Sequence, residues 1–442
     1  MSNNHIKSIL GCDLMSLDSF SDISSLVEHA LGSELLSFIN DISIKADEND
    51  ADLYIVGGFV RDLLLGRPSV DFDLVIDGDA IRLSKDLVSE FGGEVTAHRR
   101  FGTAKWDLSA KLVSATGLHS LDLVSSRSES YDKPTKLPDV KPSSIKWDLQ
   151  RRDFTVNTLA VNLSPGNFGE LVDHWGGLED LRANLLQVMH SRSFIDDPTR
   201  ILRAVRLEQR LGFNITEDTL QLMVSSLPLL DDLSGDRLRH EIEKILQEDC
   251  PEAVLDRLQE IGVAGAIHSS MAYIVDEWLG RKFVLAREYS LLSDIVPVYF
   301  GVWLYTLSID ECESICARLK VSTKIKESLR QIDRIKSVLS ELDVSANPSD
   351  VVRNLDDLSD IALDVLVVAV DNQDVRKNIE IFRNELRFIQ PITNGNDLLE
   401  LGLMPGPDLG RILLRLKVAW LDGEISSTEE EKLLVKALVA EI

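Results

Sequence analysis

Hydrophobic and polar positions fall into two regimes along the chain. Between residues 17 and 48, Leu26, Leu31, Leu35, Leu36, Ile39 and Ile42 recur at helical spacing and stop at the polar stretch Ala46 to Asp52, which predicts an acidic helical lead-in. Four short apolar runs follow, each read as a strand: Leu53–Val56 before a glycine pair, Phe72–Ile76 between acids, Thr103–Leu108 and His119–Val124. Val60–Leu65, closed by Gly66, predicts a short helix between the first two. The alternation indicates a mixed α/β domain over about residues 50–190. From Asp196 onward the pattern is helical, with amphipathic segments at Leu238–Leu246, Ala253–Leu258 and Ile325–Leu339. Pro348 and Pro391 mark breaks, and the Gly- and Pro-rich stretch Leu401–Gly410 precedes two final helices.

Composition narrows the class. With 442 residues, 44% apolar and 27% charged, the chain is long enough for two to four cores and has the make-up of a soluble globular protein. Its longest apolar run, Ile295–Tyr305, falls short of the ~20 residues needed to cross a bilayer, and no basic apolar leader opens it, so a cytoplasmic location without membrane contact is expected. Four cysteines without a CxxC pair exclude a disulfide framework, and Cys312 and Cys316 read as core. The eight histidines show no His-Asp dipeptide and no HxxxH spacing, so no appended metal-dependent phosphohydrolase is expected; His174 reads as a turn cap.

A net charge of −26 argues against nonspecific coating of a polyanion, yet the charge is uneven. Residues 1–52 hold ten acids and two bases, whereas residues 97–153 hold eleven bases and seven acids, including Arg99-Arg100 and Arg151-Arg152. A polyanion would meet the latter region.

The most informative chemistry is Gly57-Gly58-Phe59-Val60-Arg61-Asp62 followed by Asp71-Phe72-Asp73. In a strand, residues two apart share a face, so Asp71 and Asp73 set two carboxylates side by side, an arrangement suited to hard divalent cations and phosphoryl transfer. The glycines let backbone amides approach a triphosphate, with Arg61 as a charge-assisted donor.

These residues resemble the nucleotidyltransferases of the DNA polymerase beta superfamily, within them the class II CCA-adding tRNA nucleotidyltransferases and bacterial poly(A) polymerases. The likeness extends in order through Arg100–Thr103, Asp122–Tyr131, Asp148–Asn157, Asp173–Leu181, Asp196–Phe213 and Arg237–Leu246. It implies an α+β fold: a polymerase beta-like head at 51–190 of small mixed sheet with helices, then an all-α neck (191–246), body (247–345) and tRNA-contacting tail (346–442), with 1–50 as the lead-in.

The resemblance also implies roles. Arg151 to Asn157 matches the RRDFTxN motif that holds the incoming nucleotide, with Arg152 on phosphate and Asp153 and Asn157 on ribose hydroxyls. Phe154 reads as core. Asp196 to Arg203 resembles the motif that replaces a template: with Asp197 and Arg200 three apart on one helix face, the carboxylate accepts from an exocyclic amine and the guanidinium donates to the ring nitrogen, a pattern that cytosine and adenine share. Arg203 and Arg206 continue that spacing, reaching phosphate or buttressing the pair; Asp196 stands where the family usually has Glu. Asp122 is either a third catalytic carboxylate or a structural acid, and residues 127–138 resemble a mobile loop that switches specificity between C and A. The reaction implied is Mg²⁺-dependent transfer of CMP and/or AMP from CTP and ATP to the 3′ end of tRNA. The alternatives are an enzyme adding only the final A or only CC, a poly(A) polymerase, or a catalytically silent RNA-binding protein.

Overall fold

The apolar runs of the first half become strands of one sheet. After α1 (Ser24–Asp47) come β1 (Asp52–Val56), α2 (Gly58–Leu64), β2 (Asp73–Asp77), α3 (Ala80–Phe91), β3 (Glu94–His98), β4 (Thr103–Asp107), α4 (Ala110–Thr116) and β5 (Ser120–Ser125). Next are β6 (Arg127–Ser130), β7 (Asp139–Pro142), α5 (Ile145–Gln150), β8 (Ala160–Asn162) and β9 (Leu171–Val172). This computed structural model describes residues 22–67, 72–130, 138–343 and 345–441. Seven strands join in the order β3-β4-β5-β2-β1-β8-β9; β2 and β5 run parallel and the other neighbours antiparallel.

Alternation sets the two faces of the sheet. Tyr54, Val56 and Val75 pack with Ile145 and Leu149 of α5, so Leu53, Ile55, Leu74 and Ile76 point to the other face. Helices α1 and α3 meet β4 through an aromatic cluster in which Phe38 lies 5.6 Å from fully buried Trp106 and 6.2 Å from Phe91. The Trp106 indole donates to Gly92 O at 3.0 Å, satisfying the polar atom buried with that ring.

The rest of the first compact unit, which ends at Leu233, is α6 (Gly177–Ala183), β10 (Leu185–Leu186), α7 (Ser193–Asp196), α8 (Thr199–Leu211), β11 (Asn214–Ile215) and α9 (Glu217–Ser226). The second unit starts at Ser234, so the division falls inside the segment 191–246. Its principal helices are α10 (Gly235–Leu246), α11 (Pro251–Ile261), α12 (Val263–Ile267), α13 (Glu277–Glu288), α14 (Ile295–Trp303), α15 (Ile309–Arg318), α16 (Thr323–Lys336) and α17 (Pro348–Leu355). They continue with α18 (Asp360–Ala369), α19 (Gln373–Asn384), α20 (Gly395–Glu400), α21 (Pro407–Leu421) and α22 (Thr428–Ala440). Within it, Asp364 is fully buried, receives Arg383 Nη2 at 2.8 Å and accepts the amides of Leu292 and Ser293, so the buried charge has its partners. Cys312 and Cys316 are core residues of α15, and burial pushes both thiols up to about 11. Among the described residues no helix is long and apolar enough to cross a membrane.

The α+β architecture expected from the sequence is the one observed, with local differences. Four strands were expected; β3 was not, because it is an edge strand on which Glu94, Thr96 and His98 are exposed. The segment expected as a loop at 127–138 carries β6, which pairs with β7 from Arg127↔Pro142 to Ser130↔Asp139; its residues 131–137 lie outside the described residues. Pro348 opens α17 at the position where a missing amide costs no hydrogen bond. The turn before α6 is tied by Asp173, which accepts from Gly177 and Leu178, and not by the exposed His174.

Asp79 caps α3 by accepting from the amides of Ile81 and Arg82, both at 3.0 Å. Asp79→Ala should destabilise the first unit by about 1 kcal/mol, measured as a lower urea midpoint at unchanged slope.

Candidate active site

The end of β1 meets the start of β2, with Val56 opposite Asp73 and Gly57 next along the chain. Strands β2 and β5 run parallel with Leu74 beside Leu123. Asp73 and Asp122, one residue earlier on each strand, are therefore neighbours on the face that carries α5, and both are exposed. Asp71 lies outside the described residues. Across the other edge of β5, Lys105 stands opposite Asp122. Two exposed carboxylates side by side on adjacent strands are oxygen donors of the type that hard divalent cations take.

Gly57 has φ +73°, and a Cβ built there would lie 2.8 Å from Arg152 Nη1. A side chain would thus meet both backbone strain and the guanidinium. Gly58 begins α2, whose first amides lack intrahelical partners. Arg61 on this helix is buried; its Nε and Nη2 donate to Asp62 at 2.8 and 2.9 Å, and its Nη1 donates to Asn157 Oδ1 at 2.6 Å.

From Asn157 a chain of polar groups runs through the interior. Asn157 Nδ2 donates to Asp153 Oδ1 at 2.9 Å, an oxygen that also accepts the Phe154 amide, while Arg203 Nε donates to Asp153 Oδ2 at 2.8 Å. Burial alone would raise the Asp153 carboxyl, but the Arg203 guanidinium, the Asn157 amide and the charge of Arg200 hold it well below the usual carboxylate range. Phe154 is fully buried, as expected for a core residue.

A second cluster surrounds Asp148, which has no exposed surface. Its Oδ1 receives Arg151 Nε at 3.0 Å and Nη2 at 2.7 Å; its Oδ2 receives Arg152 Nη2 at 3.2 Å. Glu129 Oε1 takes Arg151 Nη1 at 3.0 Å and Arg127 Nη2 at 3.0 Å. Sequence reasoning gave these two acids no role; the available signal was the i, i+3, i+4 spacing of Asp148, Arg151 and Arg152.

Helix α8 brings the remaining candidates. Arg200 is buried and donates through Nη2 to Arg151 O at 2.8 Å, while its Nη1 is buried with no partner among the described residues. Asp197 was expected on the same helix face; it instead precedes α8 with extended backbone (φ −141°), and its Oδ1 accepts the Thr199 amide at 3.0 Å and hydroxyl at 2.6 Å. Pro198 between them excludes a helical predecessor. Asp196 ends α7, 3.5 Å from Arg192. Arg203 buttresses Asp153, and Arg206 lies one turn further along α8.

Residues 53–187 match the family described as Poly A polymerase head domain, and residues 212–274 the one described as probable RNA and SrmB-binding site of polymerase A. An A-adding tRNA nucleotidyltransferase of Geobacter sulfurreducens is 33% identical over 428 residues, covering 93% of this chain and 48% of that protein. The A-adding enzyme of Halalkalibacterium halodurans is 30% identical over 420 residues, covering 92% and 94%. This chain thus spans about half of the first relative and nearly all of the second. The solved Thermotoga maritima CCA-adding enzyme in complex with tRNA superposes with a TM-score of 0.74 at 27% identity, covering 95% of this chain and 98% of that one.

Asp153 separates two pH regimes. Its ion pair with Arg203 should be fully present above the ordinary aspartate value of about 3.9 and be lost as pH falls through its lower native value. Urea titrations should show Asp153→Asn less stable by about 3–5 kcal/mol at pH 7, with the gap to the parent narrowing at pH 3.

Proposed function

We propose, on the premise that the chain belongs to the tRNA nucleotidyltransferase family, that it transfers AMP, CMP or both from ATP and CTP to the 3′ end of tRNA and releases pyrophosphate. The observation that carries the reading is Arg200 bonded to the backbone of Arg151, so that a candidate base reader and the candidate phosphate arginines belong to one hydrogen-bonded unit.

In this reading Arg152 grips the triphosphate over Gly57, where the glycine leaves room for it. The first-turn amides of α2 add donors, and Arg61 acts mainly by holding Asn157. Asp153 and Asn157 have their side-chain acceptors committed to Arg203, Phe154 and Arg61, so a ribose hydroxyl approaching them exchanges one of these bonds for its own. Asp197 and Arg200 read the base edge.

Members of the family generally use a divalent metal. Mg²⁺ fits the donor set here: Asp71 and Asp73 would hold it, with Asp122 beside Asp73 as a further oxygen donor. Bound there, it supplies positive charge against the charge developing on the transferred phosphoryl group. The alternative of A addition alone is favoured by one observation: two relatives that are 30% or more identical over 92–93% of this chain are A-adding enzymes, whereas a CCA-adding enzyme matches 87% of it at 27% identity.

Incorporation of each triphosphate, offered singly, into tRNA ending in CC, in C or lacking CCA tests the reading. AMP entering only the CC-ended tRNA identifies an A-adding enzyme, and no incorporation into any of the three refutes the proposal. Asp73→Ala and Asp71→Ala should each abolish transfer while tRNA binding stays near the parent value. Arg200→Ala should weaken rejection of UTP and GTP by about 1–3 kcal/mol; unchanged rejection would place base reading elsewhere.

A further inference from the structure

We propose that Asp148 is a positioning residue that presets the triphosphate arginine, a role that rests on the transfer reading above. A carboxylate without exposed surface is costly unless charge and hydrogen bonds compensate it. Here the compensation comes from two consecutive arginines and the Arg127 amide at 3.3 Å. The two arginines are used differently. Arg151 is bound at both edges, by Asp148 and by Glu129, and its carbonyl receives Arg200.

Arg152 is held through Nη2, its Nη1 lies against Gly57, and its Nε is buried with no partner among the described residues. Asp148 therefore fixes one edge of this guanidinium and leaves a donor uncommitted beside the backbone that opens α2. Arginine in solution samples many rotamers, and phosphate binding would have to order it. An Arg152 already fixed over Gly57 meets the phosphates in place. Asp148 does not touch the nucleotide in this scheme; it acts through Arg152.

The test is equilibrium binding of ATP and of adenosine to the full chain, to Asp148→Asn, to Arg152→Ala and to the double variant, with thermal unfolding of each. Asp148→Asn should weaken ATP roughly tenfold, the scale of one charge-assisted contact, and leave adenosine within about twofold. The double variant should bind ATP no worse than Arg152→Ala, because both changes remove one device. Equal losses for ATP and adenosine, unchanged ATP binding in Asp148→Asn, or a double variant showing the product of the single losses would each overturn the assignment. If Asp148→Asn unfolds, Asp148→Glu replaces it in the same cycle: it keeps the charge but shifts it by one methylene, and the same expectations apply. A parent that binds neither ATP nor CTP refutes the transfer reading itself, and the role of Asp148 with it.

Discussion

The ion pair between Asp153 and Arg203 sits where three parts of the first unit meet: the segment after α5, the helix α8 and, through Asn157, the helix α2. Little water-facing surface compensates this carboxylate, which is 7% exposed, so its four donors must all be in place at once. That requirement acts as a geometric constraint. Arg203 can reach Asp153 only if α8 lies in one position, and Asn157 can present its carbonyl to Arg61 only if its amide is held by Asp153. Packing around Phe154, fully buried in the same turn, supports the arrangement without specifying it, since apolar contact tolerates small shifts that hydrogen bonds do not.

Electrostatics bears on how a chain of net charge −26 would hold the polyanion that the proposed reaction requires. Arg61, Arg127, Arg151, Arg152, Arg200 and Arg203 crowd into one region, and the acids that hold them, Asp62, Glu129, Asp148 and Asp153, are fewer. A concentration of guanidinium groups beside the carboxylates of Asp73 and Asp122 keeps its local field inside an acidic protein because the Debye length at physiological salt, about 8 Å, is shorter than the distance over which charge is averaged around a molecule of this size. Each acid fixes a guanidinium: Arg61 and Arg151 have all their nitrogens engaged, whereas Arg152 keeps Nε and Nη1 outside its bond to Asp148.

Much of this was legible in the sequence, for physical reasons that also mark where legibility ended. The strands β1, β2, β4 and β5 announce themselves because both faces or one whole face is buried, leaving apolar runs or clean alternation. β3 and the β6–β7 hairpin do not, since their residues are largely polar and their pairing is set by neighbours. Gly57 was readable because only glycine meets both its φ and the approach of Arg152. Asp197 was misplaced on a helix because i, i+3 spacing assumes helical backbone throughout, and Pro198 begins the helix one residue too late for that. Asp148 and Glu129 were missed because an acid near an arginine in sequence is usually an exposed pair of small worth; burial, which sequence spacing does not report, turns the same pair into a constraint.

The same asymmetry between making and losing a buried hydrogen bond bears on template-free choice of a base. Arg200 keeps Nη2 on the Arg151 carbonyl and holds Nη1 buried without a partner among the described residues. In the proposed role, a base offering an acceptor at that point completes the set, and one offering a donor leaves two donors facing each other out of reach of water. The favourable bond contributes only about 1 kcal/mol net, while the unmet donor costs about 1–3 kcal/mol. Discrimination therefore arises mainly from the penalty on the wrong base, and its size depends on how firmly Arg200 is kept from turning to find another partner. The bond to Arg151 supplies that firmness, and Arg151 is itself locked between Asp148 and Glu129. A soft anchor would let the guanidinium rotate and accommodate guanine or uracil; selectivity in such a site is a property of the residues behind the reader as much as of the reader itself.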